Sequence, residues 1–350
     1  MEPFVLDPAR LPAAAELRGA VVTEEVRAGG RRLFSKGHRL TETDLGVLPS
    51  LDRPIHAVRL APGEVHEDDA GRRLARAVSG VGLGTTLDLR GPVQSRYNLV
   101  ATVKGLFRVD ADRLKAINLL EGMAVFTLPD GVVVVPGKTV TGVKITPVAV
   151  PEATLADAEA IASGAPLVAV KPFRPLAVGV VSTEGMADRA RQRFRETVER
   201  KVGWYGGRVV RFEEPAPEPN AVAAAIEGLV RDGAEVVLAA GGNTIDPLDP
   251  TLLALPAVGA EMVRFGAPAH PGSMFWLARR GAVPIVNLAS CGMYSKATIA
   301  DLVLPPIMAG ETVGPEEMAD LGLGGLLDRG MGWRFPPYDA EAAAGDVDEE

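Results

Sequence analysis

Gly241-Gly242-Asn243-Thr244-Ile245-Asp246-Pro247-Leu248-Asp249 places two carboxylates, an amide, a hydroxyl and a pair of glycines in one short stretch. Adjacent glycines let the backbone turn with positive φ and bring bare N–H groups close to a ligand. Such amides suit an anion. Asp246 and Asp249 would repel one, so the carboxylates need a different task. A carboxylate accepts two hydrogen bonds from an amino-pyrimidine edge such as a pterin or guanine, or holds Mg²⁺. The same spacing also fits an acidic turn that caps a short helix after Pro250.

Other residues extend this choice. Ser182-Thr183-Glu184-Gly185, the segment from Asn287 to Lys296, and the turn Pro268 to Ser273 are expected to converge with the glycine loop. Thr183 and the helix start expected after it offer hydroxyl and amide donors to a phosphate. Cys291 can be a sulfur ligand or nucleophile, or a buried structural thiol. Lys296 is either a phosphate partner or a surface lysine at a helix start, and His270 is a turn residue. Nearer the N-terminus, His66, Glu67 and Asp69 could bind a hard metal, or could be the first turn of a helix whose dipole favours acids. Lys144 lies within an apolar strand pattern, either snorkelling at an edge or meeting an anionic ligand or another domain. No Ser-His-Asp order, Walker loop or GxGxxG fingerprint is present.

The elements that must position these residues are clearest after Pro175. Leu176 to Val181 is an apolar strand, and Met186, Ala190, Phe194, Val198 and Val202 recur every four residues as one helical stripe. Val209 to Phe212 is the next strand. Asn220 is expected to cap a helix with apolar positions Val222, Ala225, Ile226, Leu229 and Val230. The strand Val236–Ala240 then leads into the glycine loop, and ligands of α/β sheets bind beyond the carboxyl ends of strands. Strand–helix–strand–helix–strand at this spacing predicts a right-handed parallel sheet covered on both faces. Segments 261–265, 274–277 and 284–288 continue it as partly antiparallel strands, followed by a helix over about 296–304. Before this unit, residues 1–150 form an N-terminal α+β region, and 151–174 form a linker rich in Ala, Glu and Pro with a helix at 155–163. The domain proper spans 175–312, with a C-terminal segment at 313–337 and an acidic, disordered tail at 338–350.

The 350 residues suffice for two or three compact domains. Six carboxylates after Tyr338 account for most of the net charge of −8, so the body is near neutral and carries no basic stripe for nucleic acid. The single cysteine excludes an internal disulfide and a cysteine zinc cluster. No apolar run is long enough for a membrane span, and Met1-Glu2-Pro3 does not begin a signal peptide, so a cytoplasmic location is expected.

The stretch 241–249 resembles the GG-x-[ST]-x-[GD]-x-x-D loop of the molybdopterin-binding domain superfamily of molybdenum-cofactor biosynthesis. Ser182 to Gly185 looks like that superfamily's first loop, where Thr-Gly precedes a helix. Over nearly the whole chain, His66 to Asp69, Arg96 to Asn98, Val143 to Ile145, Ser290 to Gly292 with Ser295-Lys296, and Gly322 to Leu326 resemble one subfamily. Its members are often fused to a nucleotidyltransferase that attaches CMP to the cofactor of xanthine-dehydrogenase-type enzymes. The resemblance implies an α/β, three-layer Rossmann-like sheet (the molybdopterin-binding fold) with an N-terminal mixed α+β region. It implies that molybdopterin or its nucleotide-linked form is bound, with Mg²⁺ as a second cofactor. The partners it implies are a separate nucleotidyltransferase and a xanthine-dehydrogenase-type enzyme, in a homo-oligomer such as a dimer. Thr183, Gly185, Gly241, Gly242, Asn243, Thr244, Ser290, Cys291 and Lys296 would bind cofactor. Asp249, also the Mg²⁺ ligand, would act with Asp246. Two departures bear on activity. Where molybdenum insertases carry Pro-Gly-Lys-Pro, this chain has Pro271-Gly-Ser-Met274, and their Leu-Pro-Gly-Asn-Pro becomes Leu288-Ala-Ser-Cys-Gly292. The expectation is therefore pterin binding in late cofactor assembly or handover. Metal insertion by a molybdotransferase, or a nucleotide hydrolase on the same sheet, are the alternatives.

Overall fold

The computed structural model describes residues 1–80, 86–288 and 298–338. Its centre is a six-stranded sheet in the order Arg208–Glu213, Ala177–Ser182, Val236–Ala240, Val283–Asn287, Trp276–Arg280, Glu261–Phe265. The first four strands are mutually parallel, and Trp276–Arg280 runs antiparallel to both of its neighbours. Ala177–Ser182 and Val236–Ala240 are buried at every position, as expected of strands covered on both faces. The helix Asp188–Trp204 turns Phe194, Val198 and Val202 onto one side of the sheet together with Ala300–Met308. Pro219–Arg231 and Pro250–Ala257 cover the other side through Val222, Ile226, Leu229 and Leu255. These layers form the three-layer α/β sheet expected from the sequence.

Helix starts differ from expectation: the helix read over about 296–304 is Ala300–Met308, and two others also shift. Pro219, not Asn220, begins its helix, with Glu218 at the cap position. Proline's fixed φ and missing N–H suit that first position. Asp188 begins the first long helix, three residues beyond Gly185, so Thr183 lies in the connecting loop rather than at the helix N-terminus.

The N-terminal region contains two packed bodies. A small sheet of Glu2–Leu6, Ile55–Arg59 and Val21–Val22 joins the hairpin Val26–Ala28/Arg31–Phe34 around Leu6, Leu17, Leu48 and Ile55. A second body sets the helices Glu67–Ser79, Ala111–Asn118 and Glu152–Ala162 against a four-stranded antiparallel sheet that includes Leu87–Val93, Arg96–Ala101 and Thr139–Ile145.

Most of the segment expected as a linker belongs to this second body. Ala149–Pro151 pairs with Glu64–His66, Val168–Pro172 pairs with Gly105–Val109, and Leu155, Ala158 and Ala162 are buried. Small alanines make a packing face that resembles linker composition. Arg108 and Lys171 both meet Glu311, and Lys104 Nζ donates to Trp204 O at 2.8 Å, tying this body to the central sheet.

Asn118 closes the helix Ala111–Asn118 onto its neighbouring strand. Its Nδ2 donates to Val125 O, and its Oδ1 accepts from Val125 N, both at 2.8 Å. Asn118→Ala is expected to cost about 2 kcal/mol in chemical denaturation, because two backbone groups lose their partner at once.

Candidate functional site

The strand order creates a crevice. From Ala177–Ser182 the chain moves outward to Arg208–Glu213, then returns past its starting strand to Val236–Ala240. The loops leaving the two central strands therefore diverge, which defines a topological switch point. Thr183 and Gly241, the first residues of these loops, lie side by side there. Thr183 N donates to Ala240 O at 3.0 Å, and the Thr183 and Thr251 hydroxyls are 3.0 Å apart.

Both glycines are sterically required. A Cβ at Gly241 would lie 2.3 Å from Thr183 Oγ1 and 2.5 Å from Thr251 Oγ1. Gly242 has φ of +70°, and a Cβ there would lie 2.7 Å from Trp276 Nε1. The next parallel strand supports the loop from behind, where Asn287 Nδ2 donates to Gly241 O at 2.8 Å. Asn243 Nδ2 donates to Leu288 O at 3.2 Å.

These contacts leave Asn243 Oδ1, Asn287 Oδ1 and Trp276 Nε1 buried with no hydrogen-bond partner among the described residues. Buried polar atoms are ordinarily paired, so two acceptors and a donor left over around one loop form an unsatisfied polar lining. Trp276 and Thr251 were not among the residues expected from sequence, whereas Asn287 opens the segment 287–296 that was expected to converge here. A polar Asn ending the apolar run of Val283–Asn287 was the one available signal.

The acids perform local work. Asp249 caps the helix Pro250–Ala257, with Oδ1 accepting from Thr251 N at 2.8 Å and Leu252 N at 3.3 Å. Its Oδ2 carries no hydrogen bond among the described residues. Asp246 is exposed and closes a turn through Leu248 N, and its own N–H donates to Thr244 Oγ1. The capping geometry read as one alternative from sequence is thus present, and it leaves one carboxylate oxygen of Asp249 for a ligand. No group of three or more His, Cys, Asp or Glu with metal-binding geometry occurs among the described residues.

Gly185 is exposed with open space at its α-carbon, near the site but outside the tight contact between Thr183 and Gly241. Ser290, Cys291 and Lys296 lie outside the described residues. The turn 268–273 is bonded to the C-terminal segment, with His270 N donating to Gly325 O and Leu327 N to His270 O.

His66–Asp69 is a helix start, in which His66 Nδ1 accepts from Asp68 N at 3.2 Å and Nε2 faces Gly37 O at 2.9 Å. Burial lowers the imidazole's pKa, and the two contacts fit the neutral ring with its proton on Nε2. Lys144 reaches the Gln94 carbonyl at 3.1 Å.

No protein-family model and no curated protein matches the chain. Among solved structures, it is similar to the molybdopterin biosynthesis MoeA protein of Pyrococcus horikosii, with 16% identity and a TM-score of 0.32. That alignment covers 70% of this chain and 79% of the other. It is also similar to a MogA structure, at 21% identity and TM-score 0.25, covering 37% of this chain and 91% of that one. A putative molybdenum cofactor biosynthesis protein from Corynebacterium diphtheriae aligns over the same shares, at 16% identity and TM-score 0.27. The identities and scores are low, and the fold assignment rests on the strand order and helix layers described above. No helix among the described residues is long and apolar enough to cross a membrane.

Proposed function

We propose that the chain binds molybdopterin or its nucleotide-activated form, in late molybdenum-cofactor biosynthesis or handover to molybdoenzymes. The observation that carries this reading is the side-chain-free cradle of Gly241 and Gly242 at the switch point, lined by buried polar atoms without partners. Bare amides and the Thr183 hydroxyl suit the phosphate of a phosphorylated heterocycle. Asn243 Oδ1 and the free oxygen of Asp249 are acceptors for the amino-pyrimidine edge of a pterin. The likeness of the 241–249 sequence to the superfamily's GG loop supports the same ligand. Metal insertion has less support, because Pro271–Met274 lacks the lysine of the insertases' Pro-Gly-Lys-Pro.

Asp249→Asn separates capping from recognition. Asparagine caps a helix about as well as aspartate, so thermal stability is expected to stay near wild type. Molybdopterin affinity, followed by pterin fluorescence, is expected to fall by about tenfold or more with loss of the charged acceptor. A folded wild-type protein that does not bind molybdopterin would sink the proposal, and undiminished binding by Asp249→Asn would remove this residue from the site.

A further inference from the structure

A second cleft lies in the N-terminal region, built from none of the residues around the glycine loop. It encloses about 1110 Å³ between the turn 35–39, the start of the helix Glu67–Ser79, the hairpin tip at 92–95 and the end of the strand Thr139–Ile145. Small-molecule sites span roughly 300–1,000 Å³, so a ligand of nucleotide size can be accommodated.

The cleft is chemically constructed. Glu67 is only 4% exposed, and burial holds its carboxyl above the usual range. Its position depends on Gly37, whose φ is +82° and where a Cβ would lie 2.2 Å from Glu67 Oε1. The Ser95 hydroxyl and the charges of Lys36 and Lys144 favour the ionised form of Glu67. At the hairpin tip, Gln94 and Ser95 adopt φ of 49° and 62°. Such a tip ordinarily selects Asn or Gly, and non-glycine residues persist there only where surrounding contacts impose them.

The other cleft cations face carboxylates. Arg39 pairs with Asp69 at 2.7 Å, and Arg32 lies 3.8 Å from Glu25. Lys36 has no hydrogen bond or ion pair among the described residues, and Lys144 uses one of its three donors on Gln94 O. Two ammonium groups thus have donors to spare beside a buried carboxyl and the carboxylate of Asp68.

That pairing selects a ligand with two kinds of group. Free phosphate alone would leave Glu67 and Asp68 facing it as like charges, and a neutral polyol would leave the lysines unmatched. We propose that this cleft binds a phosphorylated polyol, a sugar phosphate or nucleotide, with its phosphate on Lys36 and Lys144 and a hydroxyl donating to Glu67.

The test is calorimetric titration of the full chain with ribose 5-phosphate, inorganic phosphate, ribose and AMP. Ribose 5-phosphate is expected to bind saturably and more tightly than phosphate or ribose alone. AMP binding tighter than ribose 5-phosphate identifies a nucleotide site, and equal binding a sugar-phosphate site. Lys36→Ala and Lys144→Met are each expected to weaken ribose 5-phosphate by about tenfold, the scale of one charge-assisted hydrogen bond. Glu67→Gln, matched in shape and checked for folding by circular dichroism, is expected to erase the preference for ribose 5-phosphate over phosphate. Asp249→Asn is expected to change none of these affinities. Absence of saturable binding to wild type, or binding that survives Lys36→Ala combined with Lys144→Met, overturns the proposal. Loss of binding in Asp249→Asn also overturns it by moving the ligand to the glycine loop, whereas failure here leaves the pterin reading untouched.

Discussion

Asp301→Ala is expected to destabilise the protein by about 3–5 kcal/mol, the cost of leaving a buried charge without its partner. Asp301 is 1% exposed, and both of its oxygens lie 2.9 Å from Lys201 Nζ, itself buried on the helix Asp188–Trp204. The same carboxylate accepts from Thr298 N at 2.8 Å, from Thr298 Oγ1 at 3.0 Å and from the Tyr338 hydroxyl at 2.7 Å. With its proton committed to Asp301, Tyr338 accepts from Tyr205 OH at 3.1 Å. One side chain therefore joins two helices on the same side of the sheet to Tyr338, which was expected to begin the disordered tail and is instead held by hydrogen bonds. Removing it strands an ammonium that also lies over the Tyr338 ring, 5.1 Å from Nζ. Lys201→Met is expected to cost less, because Asp301 keeps three donors. Guanidinium denaturation of the two variants checks both size and order. A loss below about 1 kcal/mol for Asp301→Ala, the range of exposed pairs, would show that water reaches the site.

That network was invisible in the sequence, where Lys201 belongs to a run of mixed charge and Asp301 to an apolar helix. Nothing local distinguishes a lysine bound for a partner a hundred residues away from one on a solvated face. The strands and helices from Leu176 to Ala240 were legible for the opposite reason. An apolar run, a glycine turn and a four-residue apolar repeat are local patterns, and burial on both faces of the sheet reinforces them. The region before them was harder. Leu155, Ala158 and Ala162 carry helical spacing, but alanine is equally at home in a linker, and only pairing of Val168–Pro172 with Gly105–Val109 decides the matter.

The candidate site was half legible. Gly241 and Gly242 declare a tight backbone through their residue type alone. Asp249 does not declare its role, since a capping aspartate and a ligand-binding aspartate use the same oxygens. Its structure permits both: Oδ1 is committed to the helix start, while Oδ2 is uncommitted among the described residues. Trp276, which sequence reasoning missed, and Asn287, which opens a segment expected at the site, come from other strands and are brought to the loop by sheet order. Trp276 arrives from the antiparallel strand and Asn287 from the parallel strand beside the loop.

Gly241→Ala is the sharper test of the glycine cradle, since the position has no positive φ and alanine meets no backbone strain there. Its entire effect must come from the added methyl, which falls within 2.5 Å of the hydroxyl oxygens of Thr183 and Thr251. Those hydroxyls are hydrogen-bonded to one another, so neither can yield without breaking the link between the two loops. Overpacking of this kind costs about 1–3 kcal/mol and forces the loops apart. Molybdopterin affinity is expected to fall by about tenfold or more, with the sheet intact by circular dichroism. Gly242→Ala adds backbone strain at φ of +70° to a contact with the Trp276 indole, so its stability loss is expected to equal or exceed that of Gly241→Ala. Gly185→Ala is the matching control, because its α-carbon faces open space and the methyl meets nothing. If Gly241→Ala bound molybdopterin as tightly as Gly185→Ala, the ligand would not depend on close approach to this backbone. The crevice at the switch point would then have to be discarded as the pterin site.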